Sequence, residues 1–317
     1  VPRTPQPVII VEPSRSIRDL LRPVDLNDIF QRPYGTLAPA KPVAFDAQRK
    51  TPRRHRGGEM VLRPLRPNVG LQTAYRQRLD ALIQAMNDSV LYWIRARFKS
   101  DPPRMAADAR LPANALQGAI RALAKQWEDN FDEAAPALAE WFARSSRRQT
   151  DASLRAILKK GGFSVEFKLT PASRDILKAT IFENVNLIKS IPAQYLTQVE
   201  GMVMRSVQVG RDLGSLTKEL EEQFGVTRRR AAFIARDQNN KATASIQRAR
   251  HQELGLSRAI WMHSGGGKRP RESHVANNGK EYDIAKGWYD PHERVWTWPG
   301  ILPNCRCVSR AIIPGFT

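Results

Sequence analysis

Cysteine is scarce in this chain of 317 residues: there are two, both in the single motif Cys305-Arg306-Cys307. A disulfide framework is thereby excluded, and a bridge across one intervening residue would be strained. Long apolar runs are also missing, since no stretch of 18 or more apolar residues occurs, so no membrane-spanning helix is expected. The first residues do not join a charged segment to an apolar stretch and a small-residue cleavage site, so no signal peptide is expected and synthesis belongs in a reducing cytoplasm. Several catalytic signatures are absent. There is no H-E-x-x-H helix and no H-x-E paired with P-C-x-x-C, and Gly265 to Lys268 is too short for a phosphate-binding loop and lacks the following Ser or Thr. Neither helix-turn-helix nor zinc-finger spacing is found.

Acidic residues are few relative to basic ones, 31 against 51, which gives a formal net charge of +20 and a pI near 10.6. Such an excess points to a polyanionic partner, because release of counterions favours binding to phosphate backbones without any reading of bases. A nucleic acid, double-stranded DNA above all, held through non-specific phosphate contacts, is the expected partner of this kind. Basic clusters that suit it are Arg53, Arg54 and Arg56 near the amino terminus and Arg228, Arg229 and Arg230 further on. Either cluster can equally be a solvated face. The three consecutive arginines are read as lying at a helix start, where they oppose the macrodipole unless an anion compensates.

Eleven of the 22 prolines fall between Pro2 and Pro67. Proline removes a backbone donor and fixes φ, so residues 1–67 are expected to form an extended arm. Apolar patches such as Val8 to Val11 and Ile29 with Phe30 recur in it. They fit a segment that wraps along a neighbouring protein, and a disordered tail remains the alternative.

From Leu71 a helical stripe appears: Leu71, Tyr75, Leu79, Leu82, Met86, Val90 and Trp93 recur at spacings of three and four, up to a stop at Asp101-Pro102-Pro103. A second stripe runs from Leu116 to Phe131, and a third helix holds Leu138, Trp141 and Phe142 and extends towards Leu158, ended by Gly161-Gly162. Phe163, Val165, Phe167 and Leu169 alternate with polar residues, which predicts a strand paired with residues 307–312. Thr170 and Pro171 open a helix, Ser190 caps another carried by Pro192 to Val207, a short one covers 215–224, and Thr227 caps a run that Gly255 closes. The predicted fold is mainly α with a small α+β C-terminal module. Its parts are the arm 1–67, a helical region 68–162, a strand and helices over 163–257, and a strand and turn module over 258–317.

The last module concentrates the chemistry, with four of the five histidines from His251 onward, both cysteines, and four of the seven tryptophans. Thiolates two residues apart can reach one ion if the backbone turns, and Pro303-Asn304 makes a turn there. His274 and His263 supply nitrogen ligands, with His292 as a substitute, for a closed Cys2His2-like zinc site. Two reduced thiols packed as small hydrophobes are the other reading.

The same stretch carries a resemblance. Arg236-Asp237 on a helix, then Trp261, Arg269 to His274, Gly279, Pro299-Gly300 and the closing Asn304-Cys305-Arg306-Cys307 resemble the phage Mu F-like minor head proteins, also called phage head morphogenesis proteins. The likeness extends from about Pro171 onward. It implies a virion protein that meets the portal or major capsid protein at the capsid interior and assists head morphogenesis, DNA packaging or ejection, after assembly in the host cytoplasm. Arg236, Asp237, Trp261, Gly279 and Arg306 are structural in this reading, Arg236 and Asp237 by locking their helix to the terminal module through charge-assisted bonds. No catalytic residue is expected. The alternatives are a metal-dependent nuclease or hydrolase, with Glu272 or Glu293 as base, or a non-specific DNA-binding protein.

Overall fold

The computed structural model describes residues 58–99, 113–208, 213–265 and 269–315. The arm up to residue 57, with Arg53, Arg54 and Arg56, lies outside these, as does the stop expected at Asp101-Pro102-Pro103.

Four long helices make the main body: α1 (Val69–Lys99), α2 (Ala113–Lys160), α3 (Pro171–Gln208) and α4 (Leu213–Glu253). Asn68 caps α1 by accepting the Leu71 amide at 2.8 Å, and the predicted stripe is its buried face from Leu71 and Tyr75 to Val90, with Ile94 buried at its end in place of the half-buried Trp93. Thr170 Oγ1 accepts the Ser173 amide at 3.2 Å, so it caps α3 with Pro171 in the first turn. Inside the bundle a polar chain replaces apolar contact. Tyr75 Oη donates to Asn184 Oδ1 at 2.9 Å and Asn184 Nδ2 to Gln238 Oε1 at 2.9 Å, which ties α1, α3 and α4 at one register.

The helix boundaries expected between Phe131 and Leu138, at Ser190 and at Thr227 are not there. Pro136 lies within α2 and Pro192 within α3, and both helices run through. A proline forfeits one backbone bond and bends the axis, but burial of the turns on both sides, Ala134 to Ala139 and Ile188 to Val199, outweighs that loss. Ser190 does not cap; its hydroxyl donates back to the Leu187 carbonyl at 2.6 Å. Thr227 likewise donates to the Gln223 carbonyl at 2.9 Å inside α4. Arg228, Arg229 and Arg230 are therefore mid-helix and not at a helix start, so the macrodipole argument does not apply to them. The glycine stops do operate: Gly162 and Gly255 have φ of +92° and +71°, and the amides of Phe163 and Leu256 reach back to the carbonyls of Leu158 and His251.

Beyond α4 come β2 (Arg258–Met262), a single turn of helix α5 (Glu272–Ala276), β3 (Glu281–Asp283), the hairpin β4 (Trp288–Asp290) and β5 (Val295–Thr297), and β6 (Val308–Ile313). With β1 (Met60–Val61) they form an antiparallel sheet in the order β1-β6-β2-β3, beside the separate β4-β5 pair. Residues 163–169 keep their alternation, with Phe163, Val165 and Phe167 half-buried, but they form no strand. The edge of β6 expected for them is taken by Met60 and Val61, whose partners are Ile313 and Ile312. Residues 58–65, at the end of the expected arm, thus run along the C-terminal sheet. A second core lies under this sheet, joining Leu62, Leu65, Leu154 and Leu158 to Trp261, Tyr282, Cys305, Cys307 and Ala311. Among the described residues no helix is long and apolar enough to cross a membrane.

Candidate metal centre and its pocket

One face of α4 docks the terminal loop. Asp237 Oδ1 accepts the Asn304 amide at 2.5 Å, Arg236 donates to Asn304 Oδ1 at 3.0 Å, and Asn240 Nδ2 donates to the Cys305 carbonyl at 3.0 Å. One turn on, Gly300 packs on the helix at φ +86°, where an added Cβ would stand 3.1 Å from that of Ala244 and 3.3 Å from the Cys307 carbonyl. Farther along, Gln247 reaches the Ser309 carbonyl at 3.3 Å and the Arg248 guanidinium stacks on Trp298 at 4.0 Å. The spacing of these residues is that of a single helical face, and their partners are mostly backbone groups of the loop. The loop thereby acquires a fixed path, with Asn304 held in the left-handed region at φ +59° and Cys305 and Cys307 both turned inward. Side chains two residues apart share one face of an extended segment, so both thiols turn inward while Arg306 between them points out.

β2 and β6 pair Met262 with Val308, so the chain ends of both strands deliver His263 and Cys307 to one edge of the sheet. Trp261 is wholly buried there and meets the His274 ring edge-on, centroids 4.9 Å apart. Gly279 donates its amide to the Trp261 carbonyl at 2.8 Å and so ties the loop after α5 back to β2.

His274 comes from α5 and completes a buried trio: His274, Cys305 and Cys307 present donor atoms that all lie within 4.8 Å of one another. His274 Nδ1 is 3.5 Å from Cys305 Sγ and 3.7 Å from Cys307 Sγ. Tetrahedral zinc, with bonds of about 2.3 Å to sulfur and about 2.0 Å to nitrogen, sets these atoms roughly 3.6 Å apart. Both nitrogen–sulfur edges thus have the spacing of a zinc tetrahedron. Sharing of a proton between the two sulfurs pulls Cys305 down to about 4 and pushes Cys307 well up; the Trp261 indole and the Ser264 amide pull Cys307 the other way. A thiolate is the species that ligates a metal.

Behind the histidine stands a residue that no local pattern singled out. Asp290, fully buried at the end of β4, lies with Oδ2 3.3 Å from His274 Nε2, within ion-pair reach though off the line of a hydrogen bond. It accepts the Ser273 hydroxyl at 3.0 Å and the amides of His292 and Glu293. Burial alone would raise its pKa, but these bonds and the neighbouring His274 hold it below the usual carboxylate value. A carboxylate at the far nitrogen of a ligating histidine is a common second shell, and it favours the tautomer whose Nδ1 is free to bind. The signal available in the sequence was Asp290-Pro291, a turn-forming pair.

The trio opens on a pocket of about 580 Å³ lined in addition by His263, Arg269, Arg271, Asn304 and Arg306. His263, expected as the fourth ligand, lines the pocket but stands outside the trio, and its Nδ1 accepts the Gly265 amide at 3.1 Å. His292 is exposed at the surface of the β4-β5 turn and is not in the trio. Arg306 projects from between the cysteines, and its charge, after burial, lowers the pKa of Arg236. Neither carboxylate considered as a base lines the pocket: Glu293 is held by Arg271 at 2.6 Å and Glu272 is exposed. Of the mid-helix arginines, Arg228 reaches Asp80 at 3.4 Å, Arg230 is half-buried and donates to Ser190 at 2.8 Å, and Arg229 is exposed.

Over 255 residues the chain is 28% identical to an uncharacterised protein of Haemophilus influenzae, covering 79% of this chain and 55% of that protein. The chain therefore spans about half the length of that relative. No solved structure matches it significantly. Residues 197–310 match the family described as Phage Mu protein F like protein, and this span begins in α3, contains α4 with Arg236 and Asp237, and takes in the whole His274-Cys305-Cys307 centre.

Proposed function

We propose that the protein is a minor head protein of a tailed bacteriophage, located at the portal vertex or capsid interior, where it assists head assembly, DNA packaging or ejection. The observation that carries this reading is the family match over residues 197–310, since that family points to phage head morphogenesis. The charge of +20 supports a place beside packaged DNA, with phosphate contacts that ignore sequence. In the same reading, His274, Cys305 and Cys307 hold zinc. The ion joins α5 to the loop docked on α4, and so staples a module whose strands are too short to hold it by themselves. Quantitative mass spectrometry of purified, DNA-filled particles tests the assignment. A few copies per particle, retained through nuclease and salt washing, are expected. Absence from particles, with the protein free in the lysate, would overturn it.

A further inference from the structure

The donor trio has an open side. His274 is backed by Asp290 on its Nε2 face, and α4 closes the loop from below through Asp237 and Asn240. The remaining approach is the pocket of about 580 Å³, and His263, which would have to close it, is turned to the Gly265 amide. Structural zinc sites are closed by four protein ligands, whereas three protein ligands leave a position for an exchangeable one.

The charge around that opening has one sign. Arg269, Arg271 and Arg306 line the pocket, and Arg271 alone is matched, by Glu293. Neither Arg269 nor Arg306 has an acidic partner among the described residues. A divalent ion with two thiolates and a neutral imidazole is itself neutral, and the carboxylate behind it, Asp290, offsets about one of the two guanidinium charges, so the opening keeps a net positive charge. A phosphate group brings about −1.5 to −2 and oxygens that match guanidinium forks. We infer that the metal held by His274, Cys305 and Cys307 keeps one coordination position open to this pocket, and that the position together with Arg269 and Arg306 binds an oxyanion of the phosphate class.

This rests on the zinc reading of the trio, and cobalt substitution separates the two. The full chain is loaded with Co(II) and titrated with inorganic phosphate, while the thiolate charge-transfer band and the d–d bands are followed. The expected result is one ion per chain, a d–d spectrum that shifts saturably with phosphate, and retention of the ion in His263→Ala. In the double variant Arg269→Gln/Arg306→Gln the ion is retained but phosphate binds about tenfold more weakly or worse. A chain without the charge-transfer band would remove the zinc reading itself. A bound ion whose spectrum ignores phosphate, with the site lost in His263→Ala, would leave the zinc reading standing and overturn the open position. Competition by a short 5′-phosphorylated DNA duplex assigns the anion to nucleic acid, and phosphate binding without such competition assigns it to the free ion; both support the site.

Discussion

His251 sits in the last turn of α4 with 1% of its surface exposed, and burial lowers its pKa from 6.5 to about 4. Its Nε2 has no hydrogen-bond partner among the described residues, so none of them compensates a proton there. In the unfolded chain the ring takes up a proton as pH falls through 6.5, while the folded chain refuses it until about 4. Stability is therefore complete above 6.5, is lost progressively between 6.5 and 4, and falls no further below. The difference is worth roughly 3 kcal/mol. Thermal unfolding of the parent and His251→Gln at about pH 7.5 and about pH 4.5 should show the larger acid loss in the parent, and equal losses would refute the argument. Single residues also mark where the site was hidden in the sequence. Cys305, Cys307 and His274 were legible because sulfur and imidazole are chemically distinctive. Asp290 was not, because the chain has 31 acidic residues and only the hairpin β4-β5 determines which one stands behind the histidine.

At the scale of elements, the join between the two cores depends on one buried charge. Arg250, fully buried on α4, makes a two-pronged contact to Asp151 on α2 at 2.8 and 2.9 Å, and also bonds Glu253 and the Lys168 carbonyl of the extended segment before α3. Removing Arg250 leaves the buried Asp151 with only Arg147 at 3.7 Å, a loss of about 3 kcal/mol, whereas removing both is milder. Arg250→Met should therefore destabilise strongly in a denaturant titration, and Arg250→Met/Asp151→Asn should recover much of the loss. Purely additive effects would show that the two groups are not coupled. The same element scale explains what sequence periodicity missed. Apolar stripes located the helices, because spacing alone decides which residues share a face. The boundaries drawn between Phe131 and Leu138, at Ser190 and at Thr227 failed because a serine, threonine or proline has the same local signature whether it begins a helix or lies within one buried on both sides of it. The alternation over 163–169 predicted a strand that does not form, because alternation does not say whether a sheet edge is free, and Met60 and Val61 occupy the edge of β6.

For the molecule as a whole, the +20 charge should dominate any association with DNA, and the folded context decides which arginines take part. Read from the sequence, Arg228, Arg229 and Arg230 are one basic patch. In the fold they diverge: Arg228 faces Asp80, Arg230 is half-buried against Ser190, and Arg229 alone projects without such a contact. Duplex DNA should bind the full chain with an affinity that falls steeply with salt and does not distinguish unrelated sequences, because phosphates carry no base identity. Arg229→Gln should flatten the plot of log affinity against log salt by about 0.9, the release of one counterion. Arg230→Gln should leave that slope alone and lower stability instead, because its guanidinium braces α4 against the Pro192 region of α3. If Arg229→Gln leaves the slope intact, the DNA-facing surface lies elsewhere on the chain, and the sequence cluster is only a solvated face of α4.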